Sequence, residues 1–251
     1  TAIGRPNYPD LAPYVTVEDD TIPNIGLGNP DLKPYKAVNL DLGADYYLPG
    51  QCLLSVGLFY KHIDNPIYAQ TSVVTNGTFG NVLYPIANVT RPVNVDSEIV
   101  KGVEVNAQVR FTFLPAPFDG LGIAANFTHV SGHGKGLDDR SGNFPLFYQS
   151  KNSGTAQLFY EKYGFALRVA YSYRSKYLDG LGATAAEDQY TDNNGQLDIH
   201  ASYEILPQVT VFADATNLTD APWRRFIGTR NQLIERERYD YSLRGGIQLH
   251  F

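Results

Sequence analysis

Few residues in this chain are typed and spaced for chemistry. His129 and His133 stand four apart, the spacing of a helical zinc pair. Such a pair needs a glutamate beside the first histidine and a helix beneath both, whereas Val130 and a strand-like stretch occupy those places. No metal or cofactor is expected. No G-x-S-x-G elbow, Walker loop or cysteine cluster is present, so no enzyme is expected. The single Cys52 falls in an alternating apolar row and reads as a structural residue. The richest group is Trp223, the only tryptophan, followed by Arg224 and Arg225, then Arg230, Arg236 and Arg238. A flat ring beside guanidinium donors could stack on a sugar or clamp an anionic chelate, with Tyr190 as a second platform. Trp223, Arg224, Arg225, Arg230 and Tyr190 are therefore the expected contacts to a small molecule. The alternative is that Trp223 anchors at an interface while the arginines pair with Glu235, Glu237 or membrane phosphates.

Those residues need a frame, and composition points to strands. The 251 residues include Gly 23, Tyr 18 and Phe 13 against Met 0, and the net charge of −6 leaves no basic stripe for nucleic acid. No apolar run approaches the roughly 18 residues of a membrane helix. Barrel strands, however, hide their apolar side in alternation. The opening Thr-Ala-Ile-Gly-Arg is neither a translation start nor a signal peptide, so more chain is expected upstream.

A period of two recurs. Val38, Leu40, Leu42, Ala44, Tyr46 and Leu48 oppose Asn39, Asp41, Gly43 and Asp45, and after Pro49-Gly50 the row resumes at Cys52, Leu54, Val56, Leu58 and Tyr60, though Leu53 and Phe59 break the contrast. Val103 to Phe113 alternates most cleanly. Similar rows run through residues 121–127, 153–160, 165–174, 196–205, 209–215 and 239–251, nine strands in all. Tight turns near residues 49–50, 114–120, 161–163 and 206–207 alternate with long polar segments at 64–100, 131–147, 176–194 and 217–238. Short turns on one side and long loops on the other match an outer-membrane barrel, and the tyrosines repeated at strand ends match its interfacial girdles. Alternation alone would equally fit a soluble barrel with the apolar rows inside.

The last strand, residues 241–251, ends on Phe251 with Tyr241, Leu243, Ile247 and Leu249 at alternate positions, which resembles the C-terminal signal read by the outer-membrane barrel assembly machinery. Gly28-Asn29-Pro30-Asp31-Leu32-Lys33-Pro34 before a strand, and Asn217-Leu218-Thr219-Asp220 after the penultimate one, are similar to segments of TonB-dependent receptors. Ile3-Gly4-Arg5-Pro6, Thr90-Arg91-Pro92-Val93-Asn94 and residues 113–122 resemble a branch associated with carbohydrate uptake.

The resemblance implies an all-β, antiparallel transmembrane β-barrel, here the C-terminal portion with about nine strands of a barrel of about 22. Residues 1–34 would be an outer loop leading into the first long strand, and 35–251 the C-terminal barrel strands, with the plug domain and earlier strands upstream. It further implies an integral protein of the bacterial cell outer membrane, in contact with outer-membrane lipid and lipopolysaccharide, that couples to the TonB complex through that upstream region. The expected function is active uptake of a small-molecule substrate, an oligosaccharide before a ferric siderophore. An adhesin, a passive channel or a barrel hydrolase is the other reading.

Overall fold

The computed structural model describes residues 1–18, 20–50, 52–137, 142–182 and 184–250. The strands in chain order are β1 (Ala2–Gly4), β2 (Val15–Glu18), β3 (Asn24–Leu27), β4 (Tyr35–Leu48), β5 (Cys52–Asp64), β6 (Ile67–Phe79), β7 (Val82–Asn94), β8 (Ser97–Arg110) and β9 (Leu121–Lys135). They continue as β10 (Asn152–Lys162), β11 (Phe165–Arg174), β12 (Tyr177–Gly180), β13 (Gln189–Thr191), β14 (Asn194–Leu206), β15 (Val209–Thr216), β16 (Trp223–Ile227), β17 (Leu233–Glu237) and β18 (Ser242–Leu249). Ten of these form one antiparallel sheet in the order β1-β4-β5-β8-β9-β10-β11-β14-β15-β18. The nine expected strands are its nine long members, and short β1 adds a tenth.

Register fixes which side chains share a face, because successive residues of a strand point to opposite sides. Leu42, Leu58 and Val103 are directly cross-paired, and so are Ala213 and Gly245. The face they share carries Leu40, Leu54, Val56, Phe127, Leu158, Leu243 and Ile247, all exposed, with Leu42 at 69% and Leu243 at 68%. The wall has no apolar core between layers, so this face must be covered by something apolar. The opposite face carries Asn39, Asp41, Glu104, Asn106, Gln108, Asn126, Gln157, Arg168, His200, Asp214 and Arg244.

Phe59 sits on this polar face, where its apolar character looked out of place. The register sets it against Gly102, and a Cβ added at Gly102 would lie 2.5 Å from the Phe59 ring. The ring lies flat over its neighbour's bare backbone, as do Phe159 over Gly122 and Phe212 over Gly246. An aromatic laid across a glycine shields backbone hydrogen bonds while leaving the face thin.

Three expectations need correction. The ladder outruns the apolar alternation: β5 continues to Asp64, β8 begins at Ser97 and β9 reaches Lys135. Pairing persists there because backbone hydrogen bonds do not depend on which side chains the strand carries. The last strand is Ser242–Leu249, not 241–251. Asp240 takes a positive φ of 60° and caps the Tyr241 N–H at 2.8 Å, so the chain turns just before the strand. Phe251 lies outside the described residues. The long polar segments are also not plain loops. Residues 65–96 contain the tall hairpin β6–β7, joined by β3 and β2 into a second sheet, and β12-β13-β16-β17 make a third.

Most of the buried apolar residues lie in this loop layer. Val95, Leu137, Phe144, Leu178 and Leu181 form one cluster with Tyr68, Val93, Phe147 and Tyr190 against it, and Ile25, Ala87 and Val89 form another. Tyr68 stacks on Phe147 at 4.5 Å and meets Phe144 edge-on at 5.7 Å. Two of the sequence motifs are clamps in this layer. Asn29 donates to the Pro92 carbonyl at 2.9 Å, while Asn94 accepts the Lys33 N–H at 2.7 Å and donates to the carbonyls of Lys33 and Asn65 at 2.9 and 2.8 Å. Asn217 donates to the Asp240 carbonyl and caps the Ala221 N–H, holding the loop-side ends of β15 and β18 together.

Replacing Asn94 with Ala leaves those backbone groups unpaired and is expected to cost about 1–3 kcal/mol. The readout is faster hydrogen exchange at residues 29–34 and 65–66 in the full protein, and unchanged exchange would contradict the clamp. Tyr68 gives a second test. Burial pushes its phenol far above the ordinary tyrosine range, and its hydrogen bond to Glu98 adds to the rise. A raised folded-state value means that the protonated phenol's contribution is whole below about pH 10 and is lost only as pH climbs through the higher folded value. Ultraviolet titration of the wild type minus Y68F should therefore show no Tyr68 ionisation up to about pH 11. A normal phenolate signal near pH 10 would contradict the packing.

Candidate functional site

The polar face is held by cross-strand pairs at fixed register. His200, Asp214 and Arg244 lie in one row across β14, β15 and β18; His200 Nδ1 is 2.6 Å from Asp214 Oδ1, and Arg244 donates to Oδ2 at 3.1 and 3.2 Å. Arg168 donates to Glu161 at 2.6 Å, and the Thr155 and Ser172 hydroxyls meet at 3.1 Å. A cleft of about 290 Å³ lies along Gln108, Arg110, Gln157, Glu161 and Arg168. This surface is amide-rich and of mixed charge.

At the loop end the expected contact residues come together. Trp223, Arg224 and Arg225 lie on β16 and Tyr190 on β13, with Tyr190 directly opposite Phe226 and Thr191 opposite Arg225. Tyr190 stacks on Phe226 at 5.6 Å and 21°.

The arginines, however, spend their donors inside the protein. Arg225 donates to Asp179 at 2.7 Å, to Gln189 at 3.1 Å and to Glu235 at 3.4 Å. Burial pulls its guanidinium down, but the Asp179 and Glu235 carboxylates outweigh this and hold it above the usual arginine value. Arg230 forks onto Asp192 at 2.7 and 3.0 Å, while Arg224 donates to the Arg230 carbonyl at 2.6 Å and stands 3.8 Å from Asp192. Of the acids expected as partners, Glu235 engages Arg225; Glu237 engages Tyr239.

Two other cations face the aromatics. Arg174 lies 5.0 Å from the Tyr177 ring and 5.2 Å from Trp223, and Lys176 lies 4.9 Å from Tyr190 and 5.8 Å from Phe226. Lys176 also lines a cavity of about 340 Å³ with Lys151, Gln149, Ser131, Tyr177 and Tyr190, and no acid among the described residues lines it. Lys151, Lys176 and Gln149 went unnoticed in the sequence. The only available signal was that Arg174 and Lys176 continue a strand's polar alternation past its end.

An unbroken sheet with an outer face that is apolar along most of its length and a charged, hydrogen-bonded inner face is a membrane-spanning β-barrel wall. The family model described as TonB dependent receptor-like, beta-barrel, matches residues 1–218. The chain belongs to this family, and with it to the bacterial outer membrane. It is 25% identical over 174 residues to the Haemophilus influenzae protein described as "Probable hemoglobin and hemoglobin-haptoglobin-binding protein 4", covering 66% of this chain and 17% of that one. A mutant of the ferric enterobactin receptor PfeA of Pseudomonas aeruginosa superposes with TM-score 0.64 at 17% identity, covering 100% of this chain and 37% of the receptor. The siderophore receptor PirA of Acinetobacter baumannii gives TM-score 0.57 at 16% identity over 91% and 34%. At such identities the structural likeness speaks for the fold alone. The chain spans little more than a third of the receptors it matches in structure.

Asp192, buried at 7%, is the acid on which Arg230 and Arg224 converge. Asp192→Asn removes the charge that holds them and is expected to loosen the third sheet by about 1–3 kcal/mol, discounted for Arg230's exposure. Hydrogen exchange should rise together in residues 175–193 and 223–237. A rise confined to one segment would show that Asp192 does not tie them.

Proposed function

We propose that this chain is the C-terminal wall of a TonB-dependent importer and that its cargo is an anionic iron carrier or haem-type ligand. In this reading the short turns face the periplasm and the long segments face outward. An upstream plug and further strands close the lumen and couple it to the energised inner membrane. The observation that carries the cargo class is the cavity at the loop end, lined by Lys151 and Lys176 with Tyr177 and Tyr190 and by no acid among the described residues. Phosphate, carboxylate or catecholate oxygens gain from unpaired ammonium groups in a partly desolvated recess, and flat ligand rings gain from the tyrosines. A neutral oligosaccharide would use the tyrosines and Gln149 but draws nothing from the lysines. The relatives support the same choice, since their names concern haemoglobin and ferric siderophores. Transport here needs no bond chemistry from the chain, only a positioned and selective wall.

The test expresses the full receptor in a strain lacking its own iron receptors and supplies either a ferric siderophore or a maltodextrin as the limiting nutrient. Growth on the iron source that depends on an energised inner membrane is expected, and K151Q/K176Q should weaken binding of the iron carrier roughly tenfold with little change for a neutral analogue. Growth on the carbohydrate alone would overturn the cargo class, and uptake that persists without inner-membrane energy would overturn the importer itself.

A further inference from the structure

The apolar face of the wall changes character at its loop end, and only over part of its width. Following the register outward across β4, β5, β8 and β9, one row reads Leu42, Leu58, Val103, His129 and the next Leu40, Tyr60, Lys101, Ser131. Above these come Val38, His62, Ile99, His133 and then Lys36, Asp64, Ser97, Lys135. Three lysines and three histidines thus share the outward face with a single acid, Asp64, which is bonded to His62 at 3.1 Å. Lys36, Lys101 and Lys135 are exposed, and among the described residues none of their ammonium groups is paired with a carboxylate. The rest of the wall does not repeat this. Near the loop end, β11, β14, β15 and β18 place Tyr171, Tyr173, Leu197, Ala215 and Leu243 on the same face.

We infer that this patch binds the phosphate groups of outer-leaflet lipopolysaccharide. The occupant follows from position and charge. The β4 and β5 columns run from exposed leucines, with Leu40 at 67% and Leu42 at 69%, into the polar rows, so whatever covers the leucines with hydrocarbon carries its head group over the span from the Lys101 row to the Lys36 and Lys135 row, four residues or about 13 Å further out. A chain of net charge −6 has here its opposite sign. Across four strands the patch is about 14 Å wide, enough for more than one phosphate. Long lysine stems reach from an apolar surface to head-group height without burying their charge, and Tyr60 stands directly beside Lys101 in its row as an amphipathic ring. The site is on the opposite face from the cargo path and does not depend on which cargo is carried.

The test uses the full receptor, extracted from outer membranes and stripped of bound lipid, titrated in detergent with bis-phosphorylated lipid A and with the same lipid dephosphorylated. The variants are K36Q/K101Q/K135Q, K101Q alone, and K61Q. The last makes the same charge change on the polar face of β5. Each lysine near anionic lipid contributes roughly a fivefold effect. The triple variant should therefore bind the phosphorylated lipid on the order of a hundredfold more weakly. K101Q should lose roughly fivefold and K61Q little, and wild type should bind the dephosphorylated lipid as weakly as the triple variant binds the intact one. Heat-modifiable electrophoretic mobility reports whether each barrel is folded; if the triple variant is not, K101Q against K61Q decides. Equal affinity of wild type for both lipids, an unchanged triple variant, or a K61Q loss as large as that of K101Q would overturn the site.

Discussion

The wall is governed by one constraint: within hydrocarbon every backbone N–H and C=O must find its partner in the protein, because no water is there to replace it and each orphan costs several kcal/mol. Between β4 and β18 the ladder meets this strand after strand, while the free edge of β18 and that of β4 beyond Ala37 have no ladder partner among the described residues. Once the strands are paired, side chains can only point two ways, and lipid claims one of them. The other way is free to be polar, which is why Glu104, Arg168 and Asp214 can sit in strands that would otherwise read as hydrophobic. Phe59, Phe159 and Phe212 show the same constraint from the polar side, since each lays a ring over a glycine whose backbone bonds would otherwise be exposed to the lumen.

Beyond the membrane the constraint relaxes, and the architecture changes. Water can satisfy stray backbone groups, so the chain can turn, bulge and cap. There the asparagines take over: Asn29, Asn94 and Asn217 bond backbone groups of other segments that no ladder reaches. Apolar residues that face lipid in the wall turn inward in this layer, so Phe144, Leu178 and Ile25 are buried although the wall beneath has no core of its own. The loop layer is thus folded as a soluble domain would be, on a base folded as a membrane protein must be.

The same division explains what could be read in the sequence. The strands were legible because period-two alternation is the direct imprint of lipid on one face, and all nine long strands fall where alternation marks them. Their ends were not, because alternation stops where lipid stops while hydrogen bonding continues, as at Asp64 and Ser97. The sheets of the loop layer were hidden for a related reason: β7 pairs in parallel with β3, while Tyr68 and Val93 of the β6–β7 hairpin pack against Phe144 and Leu178 of other loops, so their apolar residues follow several neighbours instead of a single plane. The contact residues were legible as a group, since Trp223, Arg224 and Arg225 are adjacent. Their roles were not, since the acids that engage them lie far away in sequence: Asp179 is 46 residues from Arg225, and Asp192 is 38 from Arg230.

That pairing leads to a rule for which cations remain available to other molecules. A guanidinium offers a planar fork of several donors, and in a folded layer these are readily matched by carboxylates and carbonyls fixed at the right angles. Arg225 and Arg230 are used in this way, as struts. An ammonium is a compact charge on a flexible stem, poorly suited to bracing and well suited to waiting for a partner. Among the described residues the lysines without a carboxylate partner include Lys151 and Lys176 in the loop-end recess and Lys36, Lys101 and Lys135 on the outward face. The first pair lies at the loop end, outside the strands, and the second set on the outward face of β4, β8 and β9. Because strand register sends Lys36, Lys101 and Lys135 to that side, a one-residue slip in β4, β8 or β9 would carry their charge to the polar face. The ladder that pairs the backbone therefore also fixes which of these charges face outward.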